Sequence, residues 1–181
     1  MRGNADCGLK SSVLFLNLHS TIRNLKASPV SMKPKRIAIG SDHAGYESKE
    51  AAKREIAALG VEVDDKGTNS LESVDYPDFG AAVGRAVASG EVECGIVICG
   101  SGIGISIAAN KVPGVRAALC WNEETARLAR QHNDANVLCI GARFIEPELA
   151  ARMIRVFLET EFSGGRHQQR VEKLSQLDDA R

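Results

Sequence analysis

The chain has 181 residues, and its 23 lysines and arginines balance its 23 aspartates and glutamates, so the formal net charge is zero. This length predicts one domain with a sizeable core, and the lack of a basic excess argues against a nucleic-acid partner. Hydrophobic residues make up 44% of the chain and aromatic residues only 4%, so we expect a core of small aliphatic side chains.

The cysteines are scattered along the chain, at Cys7, Cys94, Cys99, Cys120 and Cys139. Their odd number and the lack of a CxxC pair argue against a disulfide framework and indicate a reduced intracellular protein. No group of His, Cys and carboxylate residues has metal-ligand spacing, so we expect no metal and no cofactor. Most of these thiols are expected to be packing residues.

Residues 1–34 differ from the rest of the chain because they carry five basic side chains against a single acidic one, Asp6. Their apolar run VLFLNL is too short to cross a bilayer, so no membrane partner is expected. Two interpretations stay open: a targeting segment for organelle import, or a disordered extension of a cytoplasmic protein, which we favour. Residues 35–181 are predicted to form a single domain.

From residue 36 onward, strand-like and helix-like patterns alternate. The predicted strands are RIAIGSD, VEVDDKG, CGIVIC, GVRAALCW and ANVLCIG, and predicted helices follow at ESKEAAKREIAALG, YPDFGAAVGRAVASG, GISIAANK, NEETARLARQHN and PELAARMIRVFLETEF. The tail RHQQRVEKLSQL is predicted to be a separate polar helix. This alternation predicts an α/β fold, a three-layer α/β/α sandwich with a five-stranded parallel, Rossmann-like sheet.

Polar residues follow the first and third strands, where ligands bind in open parallel sheets. The first strand ends at GSDHAG, with Asp42 and His43, and the third ends at Cys99 before GSGIG. If these strands are neighbours, the two loops share one crevice. Bare amides and a following helix N-terminus would favour the thiolate of Cys99 and hold an anion. The alternative is a buried packing thiol beside an ordinary turn.

The loop after Cys99 fits no common nucleotide or phosphatase motif. Ile105 occupies the place of the third glycine of GxGxxG and also the place of the arginine in a C-x5-R phosphatase loop. No second cysteine supports a redox role. A general base that takes and returns a proton is the favoured role for Cys99.

Basic groups cluster towards the end of the chain. Arg166 and Arg170 are four residues apart, which places them on one face of a helix, where an anion such as phosphate would relieve their repulsion. A solvated basic face is the alternative. His132, considered alone, is better explained as a residue that stabilises the dipole at the end of a helix than as a catalytic residue.

The motifs GSDHAG, DYPD, ICGSGIGISIAANK, RQHNDAN and GGRHQQR, in this order, resemble the ribose-5-phosphate isomerase B family, which includes galactose-6-phosphate isomerase subunits. The resemblance covers about Arg36 to Leu177. Some relatives carry a glutamate base at the position of Ile105, so this chain resembles the branch that uses a cysteine.

The resemblance implies a role for each matching residue. Cys99 matches the base that moves a proton between C1 and C2, His132 the group that assists ring opening, and Ser101 a hydroxyl that assists the loop. Substrate-binding positions are matched by Asp42, His43, Tyr76, Gly100, Gly102, Ile103, Gly104 and Asn133. Phosphate-binding positions are matched by Arg143, Arg166 and Arg170.

One feature of the predicted topology points to assembly. His132 ends a helix that leads into the fifth strand, so it is expected near the amino ends of the strands, away from Cys99. We therefore expect a homodimer or tetramer whose sites are shared between subunits. The expected reaction converts ribose 5-phosphate and ribulose 5-phosphate into each other. The alternatives are an isomerase for allose or galactose 6-phosphate and a non-catalytic sugar-phosphate-binding protein.

Overall fold

The computed structural model describes residues 33–178. All but the last two residues of the predicted extension over residues 1–34 lie outside this range, and so does Cys7. The five strands run parallel in one sheet and are β1 (Arg36–Ser41), β2 (Glu62–Asp65), β3 (Cys94–Cys99), β4 (Ala117–Leu119) and β5 (Val137–Gly141), in the order β2-β1-β3-β5-β4. The predicted fold class and sheet are confirmed.

Six α-helices flank or follow the strands: α1 (Tyr46–Ala58), α2 (Tyr76–Ala88), α3 (Ile103–Asn110), α4 (Glu123–Asn133), α5 (Pro147–Glu159) and α6 (Gln168–Gln176). Apolar side chains of α1, α4 and α5 pack on one face of the sheet, and those of α2 and α3 on the other. Within residues 33–178 no helix is both long and apolar enough to cross a membrane.

The burial of the central strand β3 explains why helices cover both faces of the sheet. All six of its residues are buried, so both of its faces need a covering layer. Side chains alternate between the layers: Ile96 and Ile98 join the core under α1 and α5, whereas Val97 and Cys99 join the core under α2 and α3. The thiol of Cys99 therefore lies on the α2–α3 side of the sheet.

The carboxyl ends of β1 and β3 form the crevice that the sequence predicted. The two strands are neighbours, with Ser41 paired to Ile98. From them the chain continues in opposite directions across the sheet, from β1 to β2 at one edge and from β3 to β4 at the other. The turn after β1 lies directly on β3, since a Cβ atom on Gly45 would come within 2.5 Å of the carbonyl oxygen of Ile98. Such a switch point is where parallel sheets bind ligands.

Candidate active site

A pocket of about 180 Å³ lies at this carboxyl edge. It is formed by the segments that follow β1, β3 and β5 together with the first turns of α2 and α3. Its lining consists of Asp42, His43, Ala44, Tyr76, Cys99, Gly100, Ser101, Gly104 and Arg143. The structure thus gathers seven of the predicted site residues around the predicted thiol of Cys99.

Cys99 ends β3 with only 4% of its surface exposed. Its Sγ accepts a hydrogen bond from the backbone N–H of Gly102 over 3.2 Å. Gly102 has a φ of +76°, and a Cβ atom there would come within 2.5 Å of Leu119 Cδ1. Only glycine therefore allows the turn that points this amide at the sulfur.

The loop between Cys99 and α3 leaves backbone donors free. Within residues 33–178, the N–H groups of Ser101 and Gly104 donate to no carbonyl or side chain. Gly104 lies in the first turn of α3, where unpaired N–H groups are expected. The Ser101 hydroxyl accepts the N–H of Ile103 over 3.3 Å, while the Ile103 side chain is 52% exposed at the first position of α3. These amides and the helix dipole favour an anion beside Cys99.

Two of the loop glycines are covered by side chains from elsewhere. A Cβ atom on Gly100 would come within 3.0 Å of the Arg143 guanidinium carbon, and one on Gly104 within 2.5 Å of Tyr76 Cζ. Arg143 is anchored because its N–H donates to the carbonyl of Gly100 over 3.0 Å. The bare backbone therefore lets an arginine and a tyrosine ring pack directly against the loop that follows the thiol.

The loop after β1 supplies a carboxylate and an imidazole. Asp42 is buried, and its Oδ1 accepts the N–H of Gly45 over 3.0 Å. His43 Nδ1 accepts the N–H of Val74 over 3.1 Å. Because Nδ1 is an acceptor, the neutral ring carries its proton on Nε2, which is left as a hydrogen-bond donor.

The remaining predicted site residues lie elsewhere. His132 is the penultimate residue of α4, and its ring stacks on that of His167 with centroids 4.2 Å apart and planes 6° apart. Arg166 and Arg170 are exposed beside His167, and within residues 33–178 neither lies within 4 Å of a carboxylate. Asn133 lines a separate cleft of about 340 Å³ between β4 and α6.

The prediction that Arg166 and Arg170 lie on one face of a single helix is wrong. The 3-10 turn Gly165–His167 holds Arg166, and α6 begins only at Gln168. Gly164 and Gly165 have φ values of +61° and +56°, and this left-handed entry delays the helix. Arg166 and Arg170 therefore lie on consecutive elements rather than on one α-helix.

Two residues that lie next to His132 in the structure, Asp134 and His167, were not predicted from the sequence. Asp134 ends α4 with a φ of +44°, and its carboxylate binds the guanidinium groups of Arg116 and Arg130, both over 2.9 Å. The sequence did carry a signal for Asp134 at the end of α4, because Asp and Asn adopt the left-handed backbone conformation more readily than most residues. His167 had no such signal, since its stacking partner is distant in sequence.

The other described cysteines are packing residues, as predicted. Burial raises the pKa of the Cys94 thiol to about 12 and that of Cys120 to about 11. Burial also raises the pKa of Cys139 well above its usual range. None of the three lines the pocket.

Comparison with known proteins places these features in a family. The family model described as Ribose/Galactose Isomerase matches residues 37–174. Ribose-5-phosphate isomerase B of Escherichia coli (strain K12) is 49% identical over 147 residues, which cover 81% of this chain and 99% of that protein.

Solved structures agree in both fold and sequence. Clostridium thermocellum ribose-5-phosphate isomerase B superposes with a TM-score of 0.79 at 52% identity, covering 80% of this chain and 98% of that one. The Trypanosoma brucei type B ribose 5-phosphate isomerase gives a TM-score of 0.77 at 51% identity, covering 79% and 98%. The likeness therefore spans nearly the whole length of each structure.

Proposed function

This chain belongs to the ribose/galactose isomerase family, and from that premise we propose that it interconverts D-ribose 5-phosphate and D-ribulose 5-phosphate. The observation that carries the proposal is the Cys99 sulfur, held by the Gly102 amide at 3.2 Å on the floor of a polar pocket. A protein that only binds a sugar phosphate needs no such base. The relatives named above as ribose-5-phosphate isomerases support the five-carbon substrate.

The proposed reaction begins with ring opening. The bond between C1 and the ring oxygen breaks, the ring oxygen gains a proton, and the C1 hydroxyl loses one to become the aldehyde. No net proton is consumed, so one imidazole can serve as acid and base, and we assign this step to His132.

Proton transfer between carbons follows. The thiolate of Cys99 removes the proton from C2, which gives an enediolate, and the resulting thiol returns a proton to C1. The hydroxyl proton on O2 moves to O1, so the ketose forms with atoms and charge in balance.

The difficult feature of this step is the negative charge that builds on the sugar oxygens. The free amides of Ser101 and Gly104 and the first turn of α3 support a role in holding that charge. Each preorganised donor of this kind lowers the free energy of the transition state by about 3 kcal/mol. Asp42, His43, Tyr76 and the remaining loop residues, Gly100, Gly102 and Ile103, then position the substrate.

The phosphate provides binding energy away from the reacting carbons. We assign its binding to Arg143, which lines the Cys99 pocket, and to Arg166 and Arg170, which lie outside it. Because a bidentate arginine matches phosphate oxygens, the distant group would hold C1 and C2 against the thiol.

We therefore propose a homodimer in which His132, Asn133, Arg166 and Arg170 of one subunit complete the Cys99 pocket of the other. The separation of these residues from the pocket within one chain supports this arrangement. Ile103 and Ile107, one turn apart on α3, are 52% and 55% exposed next to the loop. A second copy of the chain would cover this apolar face and bring its own arginines to the site.

The decisive test is incorporation of deuterium at C2 of ribose 5-phosphate in heavy water, followed by NMR. We expect exchange that accompanies conversion to ribulose 5-phosphate. Binding of the sugar phosphate without exchange would instead support the non-catalytic alternative. Faster turnover of allose or galactose 6-phosphate would keep the isomerase reaction but overturn the five-carbon assignment.

A further inference from the structure

His167 is a buried imidazole between two exposed arginines, and its ring lies almost parallel to that of His132. The two histidines come from different elements, the 3-10 turn before α6 and the end of α4. Only 9% of the His167 surface is exposed, so the ring fills a fixed place rather than sampling solvent.

The chain holds both sides of this stack in place. The N–H of His167 donates to the carbonyl of Gly164 over 3.0 Å, and the N–H of Ser163 donates to the carbonyl of Gln131 over 3.0 Å. The second bond ties the turn that carries His167 to the residue next to His132. The end of α4 is fixed from the other side by the ion pairs of Asp134 with Arg116 and Arg130.

Burial and the surrounding positive charges both favour the neutral form of His167. Burial lowers the pKa of His167, and the positive charge of His132, Arg166 and Arg170 lowers it further. Two protonated rings 4.2 Å apart would repel each other. A pKa of His167 below its usual range favours the neutral ring, which can remain stacked on His132 without charge repulsion.

We propose that His167 is a positioning residue whose ring holds the imidazole of His132 in the orientation that opens the sugar ring. This inference rests on the proposed function, and in particular on the ring-opening role of His132. His167 itself is not assigned any contact with the substrate. Its contribution is to restrict the rotation of a half-buried side chain that would otherwise turn freely.

The two directions of the reaction separate this role from a general effect on folding. Ribose 5-phosphate is mostly a closed ring, whereas ribulose 5-phosphate is acyclic because its C5 oxygen carries the phosphate. Exchange of the C1 proton of ribulose 5-phosphate with solvent needs the base and the amides but no ring opening. A defect confined to ring opening therefore lowers the turnover of ribose 5-phosphate but leaves the C1 proton exchange of ribulose 5-phosphate unchanged.

The test compares His167→Ala, His167→Leu and His167→Phe with the exposed control Gln169→Ala. We expect His167→Ala and His167→Leu to lower kcat for ribose 5-phosphate at least about tenfold, with C1 exchange of ribulose 5-phosphate at saturation within about twofold of wild type. His167→Phe keeps a flat ring and should restore most of kcat. Any disturbance of the neighbouring arginines would raise KM for both substrates instead.

Three results would overturn the inference: an equal loss in both reactions, an unchanged kcat for ribose 5-phosphate, or a His167→Phe variant as slow as His167→Leu. If His167→Ala does not fold, the comparison of the Leu and Phe variants decides the question. Wild-type enzyme that incorporates no deuterium from heavy water would overturn the proposed function, and this inference with it, before any variant is measured.

Discussion

The two groups of proposed site residues in this chain are built in different ways. Around Cys99, the thiol is buried, an amide donates to its sulfur, and glycines hold the backbone close to Arg143 and Tyr76. Around His132, the two arginines are exposed and have no carboxylate partner within residues 33–178. The first group is fixed by one chain alone, whereas the second presents positive charge outward.

From this difference we propose that the two groups have different functions, the first in proton transfer and the second in phosphate binding. A proton transfer at carbon needs atoms fixed within a fraction of an ångström, and backbone amides provide that precision without reorganisation. Binding of a phosphate needs charge that remains accessible until the ligand arrives. The first group is therefore expected to be sensitive to small changes in the reaction step, and the second to changes in substrate affinity.

Replacement of the thiol should give the largest effect. Cys99→Ser keeps the size of the side chain but gives a far weaker base, so we expect kcat to fall at least about 10³-fold. Circular dichroism should show an unchanged fold. The control Cys120→Ala removes a buried thiol outside the pocket and should keep kcat within about twofold. A Cys99→Ser enzyme within tenfold of wild type would remove the base from the mechanism.

The turn that aims the amide at Cys99 gives the next largest effect. Gly102→Ala faces both a positive φ and a 2.5 Å contact with Leu119, and we expect unfolding to require about 3 kcal/mol less free energy. Gly114 is the matched control, because its φ is +81° and nothing lies within 4 Å of a Cβ atom there. Gly114→Ala should cost only about 1 kcal/mol, and urea denaturation measures both. Equal losses would show that the close approach contributes nothing.

The exposed arginines should affect binding more than chemistry. Arg166→Ala and Arg170→Ala each remove a charge-assisted contact worth about 1.5–3 kcal/mol, so KM should rise about 10–100-fold. Stability should be unchanged or slightly higher because a repulsion is lost. Arg155→Ala, an exposed change on α5, is the control for altered net charge. A loss of kcat without a rise in KM would contradict the phosphate assignment.

Much of the fold was predictable from sequence because its signals are local. Buried β-branched runs marked the strands, and Asn122 followed by the acidic residues Glu123 and Glu124 marked the start of α4. Lys49 shows the limit of such patterns. It lies on the apolar face of α1, one turn before Ala52, and is fully buried because its Nζ pairs with Asp65 over 2.6 Å. No periodicity predicts that partner.

The candidate site likewise has one part that the sequence predicts and one part that it does not. The juxtaposition of Asp42, His43 and Cys99 followed from the topology, because neighbouring parallel strands bring their carboxyl ends together. The stacking of His132 on His167 depends on how a terminal turn packs against a helix more than thirty residues earlier in the chain. Such long-range side-chain contacts leave no mark in the sequence.

The most direct test of the account is the mixing of two inactive chains, Cys99→Ala and His132→Ala. In a heterodimer with shared sites, one site keeps both intact residues and the other keeps neither. Differently tagged chains and native mass spectrometry would establish how many heterodimers form. We expect recovery to about a quarter of wild-type activity when the chains assort at random. No recovery in a sample that contains heterodimers would show that each site is built from a single chain.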